Sequence, residues 1–155
     1  MNTAPHLSAR STSLEQTSEI ARQWLEAIAA SPVSASAIII GLDGNLGSGK
    51  TTFTQAVARE LGVAEQVTSP TYVIQKSYAI LNPRFSARFS RLIHIDAYRL
   101  EEASELEVIG FRKLAADPRN LILIEWPERV AALLPADMRT VHFAFVDETT
   151  RSIEY

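Results

Sequence analysis

The sequence predicts a single-domain α/β fold, an αβα sandwich around a mixed parallel and antiparallel sheet. Short apolar runs at residues 37–42 and 121–124 alternate with stretches of helical periodicity, the pattern of strands covered on both faces. Period-two segments elsewhere supply antiparallel edges. The 155 residues amount to about one domain. A chain of that size buries roughly 70% of its unfolded surface, enough for a core without staples.

Each element follows in order. Residues 1–11 read as a flexible start. A helix begins near Thr12 or Ser13, where T-x-x-E (Thr12, Glu15) and S-x-x-Q (Ser13, Gln16) are alternative capping boxes. Its apolar stripe is Leu14, Ala21, Trp24, Leu25 and Ile28, and Ser31-Pro32 ends it. Residues 37–42 (AIIIGL) form a buried strand. Residues 50–61 are helical, with Phe53, Val57 and Leu61 on one face and Gly62 as the C-terminal cap. Residues 72–80 and 92–96 suggest a long-looped hairpin, with Tyr72, Ile74, Tyr78 and Ile80 sharing a face. Residues 100–117 read as two short helices broken at Gly110. Residues 121–124 are a wholly apolar strand, and Pro127 suits the first turn of a helix through Leu134. Residues 141–146 are the last clear strand, with 152–155 beside it.

Composition narrows the function. At 46% hydrophobic and 21% charged, the chain is neither disordered nor low-complexity. A formal net charge of −3 argues against a protein that grips nucleic acid by its own basic face. The absence of cysteine excludes disulfides, thiolate zinc sites and cysteine nucleophiles. No apolar run approaches the roughly 18 residues of a membrane span. The first residues, MNTAPHLSARSTS, are polar and lack an apolar signal core. The expectation is a cytoplasmic protein without a membrane partner.

The informative stretch is Gly44-Asn45-Leu46-Gly47-Ser48-Gly49-Lys50-Thr51, which fits G-x-x-x-x-G-K-[ST]. It follows a predicted strand and opens a predicted helix, as a phosphate cradle requires. Backbone N–H groups must approach a triphosphate closely, which favours residues without Cβ. The helix start adds its dipole and free N–H groups. Lys50 then reaches the β/γ-phosphates, and the Thr51 hydroxyl sits on Mg2+. Thr52 continues the binding segment.

Such a site needs further oxygen ligands. Glu125 follows the apolar strand and would share the sheet edge with the loop if the strands are parallel neighbours. Asp96 ends strand 92–96. It is a candidate for holding Mg2+ through water or orienting the attacking water, and a turn cap is the plainer alternative. Thr71, in Ser69-Pro70-Thr71-Tyr72, is a candidate sensor of Mg2+ and the γ-phosphate. His94 reads as a packed or surface imidazole. Arg84, Arg88 and Arg91 read as a solvated loop, and that loop is the one candidate lid. GTPase signatures are absent: there is no N/T-K-x-D, and Asp96-Ala97-Tyr98-Arg99 lacks the glycine of D-x-x-G. A small-molecule kinase and a non-hydrolysing nucleotide-sensing subunit stay open as alternatives.

Taken together, residues 43–53 (DGNLGSGKTTF), 69–72 (SPTY), 94–100 (HIDAYRL) and 125–127 (EWP) resemble the TsaE (YjeE) family, bacterial ATPases of tRNA threonylcarbamoyladenosine (t6A) biosynthesis. The resemblance runs from the first helix to the last strand. It implies a small P-loop NTPase-like sandwich over residues 12–155 and hydrolysis of ATP with Mg2+. It also implies work with a TsaB–TsaD complex, which modifies adenosine 37 of ANN-decoding tRNAs, so tRNA is met indirectly. On the same basis Lys50 and Thr51 take the nucleotide and Mg2+ roles, Glu125 the Mg2+-site glutamate, Asp96 the functional aspartate and Thr71 the switch threonine. Trp126 matches the family's tryptophan beside that glutamate. Asn45 and Ala97 depart from the family's usual Asp and larger apolar residue.

Overall fold

The computed structural model describes residues 7–155. Seven strands form one sheet in the order β1-β7-β6-β2-β5-β4-β3. They are β1 (Ser8–Ser11), β2 (Ile38–Asp43), β3 (Gln75–Ala79), β4 (Arg91–Asp96), β5 (Asn120–Glu125), β6 (Arg139–Phe145) and β7 (Arg151–Glu154). The centre is parallel: β2 lies between β5 and β6, and β4 runs parallel to β5. The edges β3, β7 and β1 pair antiparallel. This is the mixed sheet the alternating pattern predicts.

Alternation along β5 explains its unbroken apolar run. Leu121 and Leu123 face one core with Leu92, Ile40 and Leu42, while Ile122 and Ile124 face a second with Ile93 and Ile95. The first core is closed by α1 (Leu14–Ala29) and α2 (Lys50–Glu60). Trp24 of α1 meets Phe53 of α2 edge-on at 5.2 Å, and Phe53 meets Phe143 of β6 at 5.3 Å. A fully buried Leu, Ile or Phe contributes about 1.5–3 kcal/mol each, so this face dominates the packing. The second core lies under α4 (Ala103–Val108), α5 (Phe111–Ala115) and a 3-10 segment, Pro127–Leu133. The remaining helix, α3 (Pro83–Ser86), is one turn in the β3–β4 connection.

Four expectations are corrected. The flexible start proves too long: Ser8–Ser11 is a strand on β7, and Leu7 and Tyr155 exchange backbone hydrogen bonds. Ser11 is buried, bonded to the Thr17 hydroxyl at 2.7 Å and the Ser13 carbonyl at 2.8 Å. A polar SARS strand is held through its backbone and carries no apolar signal. The rest of that expected segment, residues 1–6, lies outside the described residues. The hairpin strand starts late, because residues 70–74 turn instead: Val73 and Ile74 both donate to the Pro70 carbonyl, and Ile74 has φ 67°. Tyr72 therefore does not share a face with Tyr78, being exposed where Tyr78 is buried. Leu14 leaves the buried stripe of α1 and is exposed. The predicted helix after Pro127 is 3-10, with Val130 off helical geometry. At the start of α1 Ser13 is the cap, its Oγ accepting from the Gln16 N–H, but the S-x-x-Q box is only half formed because the Gln16 side chain accepts from the Thr12 N–H instead.

Candidate functional site

The parallel centre puts three carboxyl ends at one sheet edge. In register, Leu42 pairs with Glu125 and Asp96 pairs with Glu125. The glycine loop leaves β2 at that edge and enters α2 at Lys50, so the first-turn N–H groups of α2 face the loop mouth. Gly49 caps the helix at φ 105°, a conformation an L side chain resists. At Gly44 a Cβ would stand 2.6 Å from both the Phe143 carbonyl and Ser48 Oγ, so the loop closes on β6 only as glycine.

Lys50 lies back over this loop. Its Nζ donates to the carbonyls of Gly44 at 2.5 Å and Asn45 at 3.0 Å, and sits 4.6 Å from the Trp126 ring. Burial lowers its pKa, and the carboxylates of Glu125, Asp96, Asp43 and Glu128 pull the other way. Trp126 reaches over Lys50 because its backbone is left-handed, at φ 58° and ψ 51°, right after β5. Its ring also packs on Tyr98 at 5.1 Å.

Both carboxylates are buried, and they are tethered differently. Glu125 Oε1 accepts from Thr51 Oγ at 3.1 Å and pairs with His94 Nε2 at 2.9 Å. Asp96 Oδ2 accepts from Thr71 Oγ at 2.9 Å and Ser69 Oγ at 3.2 Å, while Oδ1 accepts from the Tyr98 N–H at 3.0 Å. Glu125 thus belongs to the start of α2 and the interior of β4. Asp96 belongs to the 69–71 loop.

A cleft of about 540 Å3 opens over these groups. Leu46, Gly47, Ser48, Gly49, Lys50, Thr51 and Thr52 line it, with Thr71, Asp96, Glu125 and Trp126 opposite. The structure thus brings the sequence-derived candidates Lys50 to Thr52, Thr71, Asp96, Glu125 and Trp126 into one cleft, while Asn45 contributes its carbonyl to Lys50 and the Leu46 side chain is exposed. Arg84, Arg88 and Arg91 are elsewhere. Arg91 opens β4, whereas Asp96 closes it, so this loop lies at the opposite end of the strands. There Arg84 pairs with Glu26, Arg88 donates to the Pro118 carbonyl and Arg91 to Ser77 Oγ. The loop that the kinase alternative would need as a lid therefore lies remote from the cleft, with Arg84 and Arg91 exposed as a solvated loop predicts.

His94 is packed, one of its two expected alternatives, but its contact with Glu125 and the place of Arg151 are not legible as site features in the sequence. His94 is wholly buried against Glu125, and the available signal was its place two residues before Asp96 on an apolar strand. Arg151 of β7 donates through Nε to the Gly47 carbonyl at 3.2 Å. Nothing in sequence ties that late strand to the loop.

A glycine loop at the carboxyl edge of a parallel sheet, opening a helix and faced by acids from neighbouring strands, defines a P-loop NTPase-like α/β protein. Within that class the chain belongs to the TsaE family. The family profile described as "Threonylcarbamoyl adenosine biosynthesis protein TsaE" matches residues 11–153. Relatives named "tRNA threonylcarbamoyladenosine biosynthesis protein TsaE" include that of Borreliella burgdorferi, 37% identical over 99 residues, 64% of this chain and 66% of that one. The Haemophilus influenzae relative is 35% identical over 118 residues, 76% of this chain and 69% of its own. The Bacillus subtilis relative is 31% identical over 117 residues, 76% and 68%. The crystal structure of Bacillus subtilis YdiB superposes with a TM-score of 0.68 at 24% identity, covering 99% of this chain and 86% of that one. That likeness supports the fold. No helix among the described residues is long and apolar enough to cross a membrane.

Proposed function

We propose that the chain is the ATP-binding and ATP-hydrolysing component of t6A biosynthesis, acting with a TsaB–TsaD-type complex in the cytoplasm and meeting tRNA through that complex. The observation that carries this reading is the Thr51–Glu125 pair beside the glycine loop and Lys50, in a chain of the TsaE family. Phosphates fit the loop amides and the start of α2, and Lys50 is within the same cleft to meet the β- and γ-phosphates.

The residues fit Mg2+. Thr51 donates its hydroxyl proton to Glu125 and so keeps its lone pairs to offer a cation, and Glu125 Oε2 has no hydrogen-bond partner among the described residues. Mg2+ favours one or two protein oxygens completed by phosphates and water, so Thr51 and Glu125 suffice. When bound, Mg2+ supplies neutralisation of phosphate charge.

Asp96 has both oxygens engaged by Tyr98, Thr71 and Ser69, so it serves as the anchor of the 69–71 loop beside the γ-phosphate position. Thr71 is then the residue whose hydrogen bond changes when nucleotide arrives. Trp126 covers Lys50 and holds its ammonium in the cleft. The small-molecule kinase alternative loses support with its lid, since residues 82–91 lie at the far end of the sheet.

The test is phosphate release by the chain alone, with the TsaB–TsaD complex, and with a metabolite panel. Alone it should turn over well below the enzyme median of about 10 per second. The complex should raise turnover or nucleotide affinity, and by linkage ATP should change affinity for the complex. Metabolite phosphorylation with no partner effect would overturn the reading.

A further inference from the structure

The His94–Glu125 contact lies deeper than the cleft. His94 is fully buried in β4 opposite Leu123, and Glu125 lies two residues further along β5, diagonal to it. His94 Nε2 and Glu125 Oε1 are 2.9 Å apart. An ionised carboxylate only accepts, so the bond needs a proton on Nε2. The other nitrogen, Nδ1, is buried with no partner among the described residues. A proton there would be a buried donor with no acceptor, which is costly, so the neutral ring carries its proton on Nε2 and Nδ1 is bare.

Two tethers therefore meet on one oxygen. Thr51 holds Oε1 from the cleft side and His94 holds it from the core side. Both bonds fall on Oε1, and Oε2 keeps no hydrogen-bond partner among the described residues, which leaves it free to meet a ligand. The Thr51 tether comes from a hydroxyl that the nucleotide site itself uses. The His94 tether comes from an interior strand that nothing in the cleft displaces. We propose that His94 is a positioning residue that holds Glu125 through an Nε2–H bond and so sets the affinity of the site for Mg2+, a role that rests on the nucleotide reading above.

Two variants separate this from simple core packing. His94→Gln can offer a side-chain N–H near the Nε2 position. His94→Phe fills the ring's volume and offers none. The readouts are ATP binding by calorimetry with and without Mg2+, and the Mg2+ dependence of single-turnover hydrolysis. An outer partner of a metal ligand is worth about 10- to 100-fold in metal affinity or activity. His94→Phe should need that much more Mg2+ while binding metal-free ATP as the wild type does, and His94→Gln should recover most of the loss. Wild-type Mg2+ dependence in folded His94→Phe overturns the proposal, as does an equal defect in both folded variants. If His94→Phe does not fold, His94→Gln and the wild-type spectrum decide. Nitrogen NMR of histidine-labelled wild-type protein without nucleotide, assigned by loss of one signal set in His94→Gln, should show a protonated Nε2 and a bare Nδ1. A protonated Nδ1 overturns the proposal even if ATP binding is normal. Wild-type protein that binds no nucleotide overturns the reading beneath it, whatever the spectrum shows.

Discussion

Replacing Lys50 by methionine removes one charge and little volume. In the folded chain Nζ makes two hydrogen bonds to loop carbonyls and lies against Trp126. The two hydrogen bonds stay within the loop that Lys50 itself ends, while the Trp126 contact links α2 to the segment after β5 and is an apolar packing contact that methionine keeps. Burial lowers the Lys50 pKa despite four carboxylates pulling upward, so the charged form is less welcome here than in water. Fold stability should therefore hold or rise slightly in Lys50→Met. Nucleotide binding should not. A charge-assisted bond to phosphate is worth about 1.5–3 kcal/mol. At about 1.4 kcal/mol per factor of ten, that is a loss of about 10- to 100-fold in affinity. Calorimetry with Mg·ATP measures this, and thermal unfolding without nucleotide checks the other half. The pH dependence gives a third check. The unfolded lysine keeps its proton to higher pH than the folded one. Stability from this group therefore rises as pH climbs from the lowered value towards the model-peptide value of about 10.4. The wild-type minus Lys50→Met difference should carry that rise. Unchanged affinity would refute the phosphate role, and collapse of the nucleotide-free fold would show that Lys50 is structural.

Glu125→Gln should still bind ATP on the loop amides and Lys50, with hydrolysis down about 100-fold, read by equilibrium binding beside single-turnover phosphate release. Thr71→Val removes the 2.9 Å bond to Asp96 and should cost about 0.5–1.5 kcal/mol in urea unfolding, while loosening residues 69–74 to hydrogen exchange. Gly44→Ala forces a Cβ to 2.6 Å from the Phe143 carbonyl and should cost about 1–3 kcal/mol, measured by the same denaturation, with nucleotide affinity falling in parallel.

Much of the central architecture was legible because burial wrote it into composition. The run at residues 121–124 is apolar at every position since both its faces meet a core, and the glycines of residues 44–51 mark a tight turn into α2, with Gly49 left-handed at φ 105°. What escaped was held by other forces. Ser8–Ser11 is paired through peptide groups that any sequence possesses. The turn at residues 70–74 depends on two N–H groups converging on one carbonyl and on a left-handed Ile74, which no propensity favours. His94 looked like packing because an interior strand position predicts packing. Its second property, a nitrogen aimed at the next strand's acid, depends on register.

Register also distinguishes the two acids. Asp96 and Glu125 are direct partners across β4 and β5, so sequence chemistry alone makes them interchangeable. Their tethers differ. Glu125 is held by Thr51 in the first turn of α2 and by His94, which is buried within β4. Asp96 is held by Ser69 and Thr71 on a connection whose backbone is already strained at Ile74, and by the Tyr98 N–H just beyond β4. One acid is thus tied to the central strands and α2, and the other to a surface connection in which Ser69, Tyr72 and Val73 are exposed. On the proposed function this division has a consequence for the partner: a complex that presses on residues 69–74 acts through Asp96 and leaves the Glu125 geometry intact. Partner binding should then alter turnover in Glu125-intact protein through the loop, and Thr71→Val should weaken that response while Mg2+ dependence stays as in the wild type.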